Sequence, residues 1–168
     1  MKKSLLARDL MSSPVRRLTL RAPVQDAAAF LLRHGISGAP VEDEHGRWKG
    51  VFSMNDIARA VAIRLDGPRT ERSLEGREPV PGGLPPALDE LGSLQVADLM
   101  TPGMVTVFPE TTLEEVVHSL LSFNVHRVFV LQEEGEALLG VITTMDVIRR
   151  LDEKGNEGTP VEQLRRLP

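Results

Sequence analysis

Gly50-Val51-Phe52-Ser53-Met54-Asn55-Asp56 returns as Gly140-Val141-Ile142-Thr143-Thr144-Met145-Asp146, an interval of 90 residues from Asp56 to Asp146. In each stretch a short apolar run ends on a hydroxyl residue, and a carboxylate follows three positions later. Upstream, Asp9-Leu10-Met11 returns as Asp98-Leu99-Met100, an interval of 89. Self-similarity held at one interval across several anchors is the mark of a duplicated unit. Each copy then has about 55 residues, near the lower limit for a small domain with its own core.

Between the anchors both copies read as strand, helix, strand, strand, helix. The first strand is expected near Val15 to Leu20, and near Met104 to Phe108 in the second copy. Val24, Ala27, Ala28, Leu31 and Leu32 follow helical spacing, as do Leu113, Val116, Val117, Leu120 and Leu121. Pro23 suits the first turn of the earlier helix. Thr112 with Glu115 three residues on is a capping-box pattern for the later one. Gly35 and Asn124 stand just past the helix ends, where a left-handed residue is wanted. Paired strands follow at Ala39 to Glu42 with Lys49 to Ser53, and at Arg127 to Leu131 with Leu138 to Thr143. Gly46 and Gly135 lie in the turns. Closing helices are expected over 55–65 and 145–151. Met54, Met100 and Met145 read as core filler, and Trp48 as a half-exposed hairpin residue.

The expected organisation is a first domain over 5–65, a linker over 66–94, a second domain over 95–152 and a tail over 153–168. The linker carries Pro68, Pro79, Pro81, Pro85 and Pro86, with a short helix expected at 86–91. In the tail, Thr159-Pro160-Val161-Glu162 caps a brief helix whose apolar stripe is Val161, Leu164 and Leu167.

Composition narrows the chemistry. Among 168 residues there is no cysteine, which removes disulfides, thiol nucleophiles and thiolate metal sites. The net charge of −4 offers no basic field for nucleic acid. His34, His45, His118 and His126 lack the paired spacing of a metal site. No run is long or apolar enough for a signal peptide or a membrane span, so no membrane insertion and a cytoplasmic location are expected. No triad order, carboxylate pair or glycine-rich phosphate loop stands out, so no enzymatic activity and no required cofactor are expected.

A duplicated unit that opens on Asp-Leu-Met and closes on Gly-hydrophobic-hydrophobic-Ser/Thr-x-x-Asp resembles the cystathionine-beta-synthase (CBS) domain. The resemblance covers nearly all of 5–152 outside the linker. It implies an α/β (α+β) fold of two β-α-β-β-α repeats, related by pseudo-twofold symmetry and packed through their sheets and helices. It also implies a homodimer, and clefts between the paired domains that take AMP, ADP or ATP, or in some members S-adenosylmethionine. The module would sense an adenosine-containing small molecule, such as an energy-reporting nucleotide, and alter the contact with a protein partner whose identity the sequence does not carry.

The resemblance assigns Ser53 and Thr143 to phosphate, where a hydroxyl joins the main-chain N–H groups of a first helical turn. It assigns Asp56 and Asp146 to the ribose diol, for which a carboxylate is a double acceptor. The same residues also read as plain helix caps with a favourable first-turn acid. Val125-His126-Arg127-Val128 adds a forked phosphate donor at Arg127 and a pH-dependent one at His126. A solvent-facing loop arginine is the competing reading. The first copy has Ile36, Ser37, Gly38, Ala39 and Pro40 in this region, without the charged pair. Small residues there would let the main chain approach an adenine. At most two sites of unequal affinity are therefore expected, the better one containing Arg127. A structural dimerisation module without a nucleotide remains the alternative.

Overall fold

A computed structural model describes residues 5–65, 93–132 and 137–155. The expected linker helix, the turn at Gly135 and the tail helix lie outside the described residues. The chain divides into two compact units, Arg16–Met104 and Met1–Val15 with Val105–Pro168. Each unit therefore takes the body of one copy and the opening segment of the other.

In the first unit, β1 (Leu18–Thr19) leads to α2 (Val24–Arg33), β2 (Gly38–Glu42), β3 (Trp48–Ser53) and α3 (Met54–Leu65). The opening segment of the second copy then adds α4 (Val96–Leu99) and β4 (Thr101–Pro102). The sheet order is β1-β2-β3-β4, with β1 parallel to β2 and the other pairs antiparallel. α2 forms because Val24, Ala27 and Leu31 recur on one face and are all buried. It stops at Gly35, which adopts φ 62°. The core gathers Leu18, Val41, Phe52 and Val96 around that face, with Met54 and Met100 packed at its edge.

The second unit repeats the plan with β5 (Thr106–Val107), α5 (Leu113–Ser122), β6 (Arg127–Leu131), β7 (Leu138–Thr143) and α6 (Thr144–Gly155). β5 runs parallel to β6, and β7 antiparallel. α1 (Ala7–Leu10) belongs here, and Ser12 bridges Val141 where β4 lies in the first unit. Asn124 closes α5 at φ 49°, as its position past the helix end foretells. The core holds Ala7 and Leu10 together with Val107, Val116, Val128, Val130 and Ile142.

Main-chain hydrogen bonds fix the exchange of opening segments. Ala7 N donates to Thr111 O at 2.7 Å and Leu113 N to Leu5 O at 2.9 Å. The counterparts in the first unit are Val96 N to Ala22 O and Val24 N to Leu94 O, each 2.9 Å. The aspartate of each Asp-Leu-Met has a local duty. Asp9 accepts from Leu6 N at 3.1 Å and Asp98 from Gln95 N at 2.8 Å, so each carboxylate meets an N–H that a four-residue helix leaves unpaired.

Three expectations are revised. The first strands are two residues each, because only Leu18–Thr19 and Thr106–Val107 find a partner strand. Pro23 stands just before α2 at its N-cap, not inside its first turn. Met145 is no core filler: it is 54% exposed, on a face of α6 turned away from the unit's core. Among the described residues, no helix is long and apolar enough to cross a membrane.

Candidate nucleotide site

In the second unit the ladder sets Arg127 directly opposite Thr143. Directly opposed residues project from the same face of the sheet, so the guanidinium and the hydroxyl start about 5 Å apart at their β-carbons. Val128 and Ile142, one step along, point the other way into the core and are fully buried. The β6 end is tied to the α6 start, for His126 O accepts Thr144 N and Thr144 Oγ1, both at 3.1 Å. The His126 side chain is exposed, and Val125 is half-buried against the core.

Thr143 and Asp146 cap α6 reciprocally. Asp146 Oδ2 accepts from Thr143 N at 2.8 Å and from Thr143 Oγ1 at 2.6 Å, while Asp146 N donates to Thr143 Oγ1 at 3.3 Å. The other carboxylate oxygen, Oδ1, has Arg149 Nη1 at 3.9 Å, from a side chain that is 72% exposed. That contact is long and solvated, hence weak. The cap and the ligand readings of this motif are thus compatible: one oxygen caps, and the other has only the long contact to Arg149 among the described residues.

The first unit arranges the same residue types differently. Gly38 stands opposite Ser53, so no cation faces the hydroxyl from the neighbouring strand. Asp56 is only 3% exposed. Its Oδ2 accepts from Ser53 N at 2.8 Å and Ser53 Oγ at 2.7 Å. Its Oδ1 accepts from Arg59 Nη2 at 2.7 Å and Thr101 Oγ1 at 2.9 Å. Ser37 is exposed and Ile36 half-buried, while Ala39 and Pro40 are buried, so the last two offer a ligand main chain only.

Some of the N–H groups at the helix entrances already have partners within the fold. Thr143 N is met by Asp146 and Thr144 N by His126 O, and in the first unit Ser53 N is met by Asp56 and Met54 N by Ser37 O. Sequence reasoning singled out neither Thr101 nor Arg59. Arg59 and Arg149 recur at the repeat interval and were findable, whereas Thr101 reaches Asp56 only through the tertiary fold. A separate surface hollow of about 480 Å³ lies beside the β2–β3 hairpin, lined by residues including Arg21, Asp43, His45 and Arg47. None of the sequence-predicted site residues lines it.

Comparison with known proteins agrees with the duplication. The CBS domain family matches at residues 7–63 and again at 96–153. The CBS domain-containing protein CBSX1 of Arabidopsis thaliana is 31% identical over 130 residues, covering 75% of this chain and 54% of that protein. This chain thus spans about half the length of that relative, and 20% of an inosine-5'-monophosphate dehydrogenase from Korarchaeum cryptofilum that it also matches. Among solved structures, CBSX2 in complex with AMP aligns with TM-score 0.65 at 24% identity, over 90% of this chain and 98% of that one. The CBS domain pair of protein MJ0100, in complex with 5'-methylthioadenosine and S-adenosyl-L-methionine, aligns with TM-score 0.69 at 21% identity, over 90% and 99%. At these identities the likeness is one of fold. Two family matches that together cover more than half of the residues, on a mixed α/β fold of repeated units, establish that this chain belongs to the CBS domain family as a tandem pair.

Proposed function

We propose that the chain is a regulatory module that binds an adenine nucleotide through its second copy, with Asp146 on the ribose and Thr143, Arg127 and His126 on the phosphate. The observation that carries this reading is the register of β6 and β7, which pairs Arg127 with Thr143 beside a carboxylate whose Oδ1 has, among the described residues, one distant partner. A guanidinium on this sheet face matches a phosphate, because a forked cation gives charge-assisted bonds to its oxygens, and the Thr143 hydroxyl joins it by turning its one proton from Asp146 Oδ2 to the phosphate. They match the sulfonium of S-adenosylmethionine less well, since two cations would then share the site. The AMP complex of CBSX2 supports the nucleotide class, and that of MJ0100 the wider adenosyl class. Ligand binding regulates only through a difference in affinity between two arrangements of the protein, and a protein partner would read that difference.

The test is a thermal-shift panel of AMP, ADP, ATP, S-adenosylmethionine and NAD, followed by titration calorimetry on the best ligand. At 100 times its dissociation constant a ligand stabilises by about 2.7 kcal/mol, which moves a melting curve visibly. Arg127→Ala is expected to weaken AMP at least tenfold, equal to about 1.4 kcal/mol. Silence across the panel at millimolar concentration would leave a structural dimerisation module as the better reading.

A further inference from the structure

We infer that Asp56 is a structural latch and not a ligand group, so that this tandem pair carries one nucleotide site per chain. The two motif aspartates are interchangeable in sequence, and the fold separates them. Asp56 accepts four hydrogen bonds from three side chains and one main-chain N–H: Ser53 N, Ser53 Oγ, Arg59 Nη2 and Thr101 Oγ1, all between 2.7 and 2.9 Å. A carboxylate has about four lone-pair positions, and those of Asp56 are filled. At 3% exposure it also has no open side for a ribose diol. A ligand there would have to displace Thr101 or Arg59 and then repeat what they already supply. The bond from Thr101 ties the start of α3 to β4, across 45 residues of sequence. Asp56 thus clamps the opening segment of the second copy onto the body of the first.

Among the described residues, the second unit shows no counterpart of this clamp. Ser12 stands where Thr101 does, bridging Val141 through its main chain. Among the described residues, no hydrogen bond joins the Ser12 side chain to Asp146. Arg149, the counterpart of Arg59, stays 3.9 Å from Asp146, against 2.7 Å in the first unit. Asp146 keeps 17% of its side chain exposed, against 3% for Asp56.

This inference rests on the nucleotide reading for its binding arm and on geometry alone for its stability arm, so the two can fail separately. Titration of the full chain with AMP is expected to give one nucleotide per chain. Asp146→Asn is expected to weaken AMP at least tenfold while moving the ligand-free melting midpoint by no more than about 2 °C. Asp56→Asn is expected to do the reverse, changing affinity less than twofold and lowering the midpoint by at least about 5 °C, since bonds to a buried charge are lost. Thr101→Val removes one of the four bonds without emptying space, and a fall of about 2–4 °C with unchanged affinity is expected; it stands in if Asp56→Asn fails to fold. Two equivalent nucleotides per chain would overturn the inference, and so would an Asp56→Asn variant that loses affinity as Asp146→Asn does. If AMP does not bind the parent chain, the nucleotide reading falls, and the melting midpoints still decide: equal losses in the two aspartate variants overturn the latch.

Discussion

Gly50 and Gly140 open the repeated motif, and the reason for glycine there is space. Neither needs a left-handed backbone. A β-carbon at Gly50 would collide with the main-chain oxygen of Thr101, and at Gly140 it would meet Met11 Sδ at 2.5 Å. In both units the exchanged opening segment crosses the strand over the glycine. The two obstacles differ in degree: Met11 Sδ can turn away, though Met11 Cβ at 2.7 Å moves only with its main chain, whereas Thr101 O comes closer still and is pinned in β4. Gly140→Ala is expected to cost about 1–3 kcal/mol, as overpacking against a partly yielding neighbour does, and Gly50→Ala more than that, about 3 kcal/mol or above. Urea midpoints of the two variants measure this. Equal losses would mean that close approach is not what holds glycine at these positions.

Elements whose signals are local were legible, and those set by distant partners were not. Thr112 caps α5 as its spacing with Glu115 foretells: Glu115 Oε2 accepts Thr112 N and Thr112 Oγ1, both at 2.8 Å. α1 and α4 escaped notice because four residues show no periodicity, and their folding depends on a segment from the other copy. The cap of α5 carries a pH signature. The main-chain N–H of Thr112, and then its hydroxyl, hold the Glu115 carboxyl below its ordinary value. A carboxylate whose folded value is depressed adds stability above the ordinary glutamate value of about 4.3, and that share vanishes as pH falls through the folded value. Glu115→Gln is therefore expected to be less stable than the parent at pH 7, with the gap closing as the solution is acidified below about pH 4. Chemical denaturation at both pH values checks the sign. A gap that widens in acid would refute the cap's electrostatic role. The β2–β3 turn is built similarly around Asp43. Burial pulls that group up, but Arg47 N and His45 N, with the Lys49 and Arg47 side chains, outweigh it and hold the carboxyl far below the usual range.

At the scale of the whole molecule, the duplication was plain in the sequence, but its wiring was not. An interval of 90 residues says that two copies exist and leaves open which body each opening segment serves. Contacts decide that, and they cross: Leu10 packs with Val107, Val128 and Ile142, and Val96 packs with Leu18, Val41 and Phe52. The candidate site shows the same boundary of legibility. Ser53 with Asp56 and Thr143 with Asp146 read alike along the chain, and Thr101, arriving from the exchanged segment, is what closes one and not the other. The crossed wiring makes a prediction that a simple tandem would reverse. Leu10→Ala opens a cavity and is expected to cost about 2–5 kcal/mol, and Val96→Ala about 2 kcal/mol. Hydrogen exchange locates each loss, because regions that open below the global transition report their own contacts. Leu10→Ala is expected to speed exchange in α5, β6 and β7, about a hundred residues downstream, and to spare β2 and β3. Val96→Ala is expected to loosen α2, β2 and β3, which precede it, and to spare β6 and β7. If each substitution instead loosens the body of its own sequence repeat, the exchange of opening segments is wrong, and with it the account of Asp56.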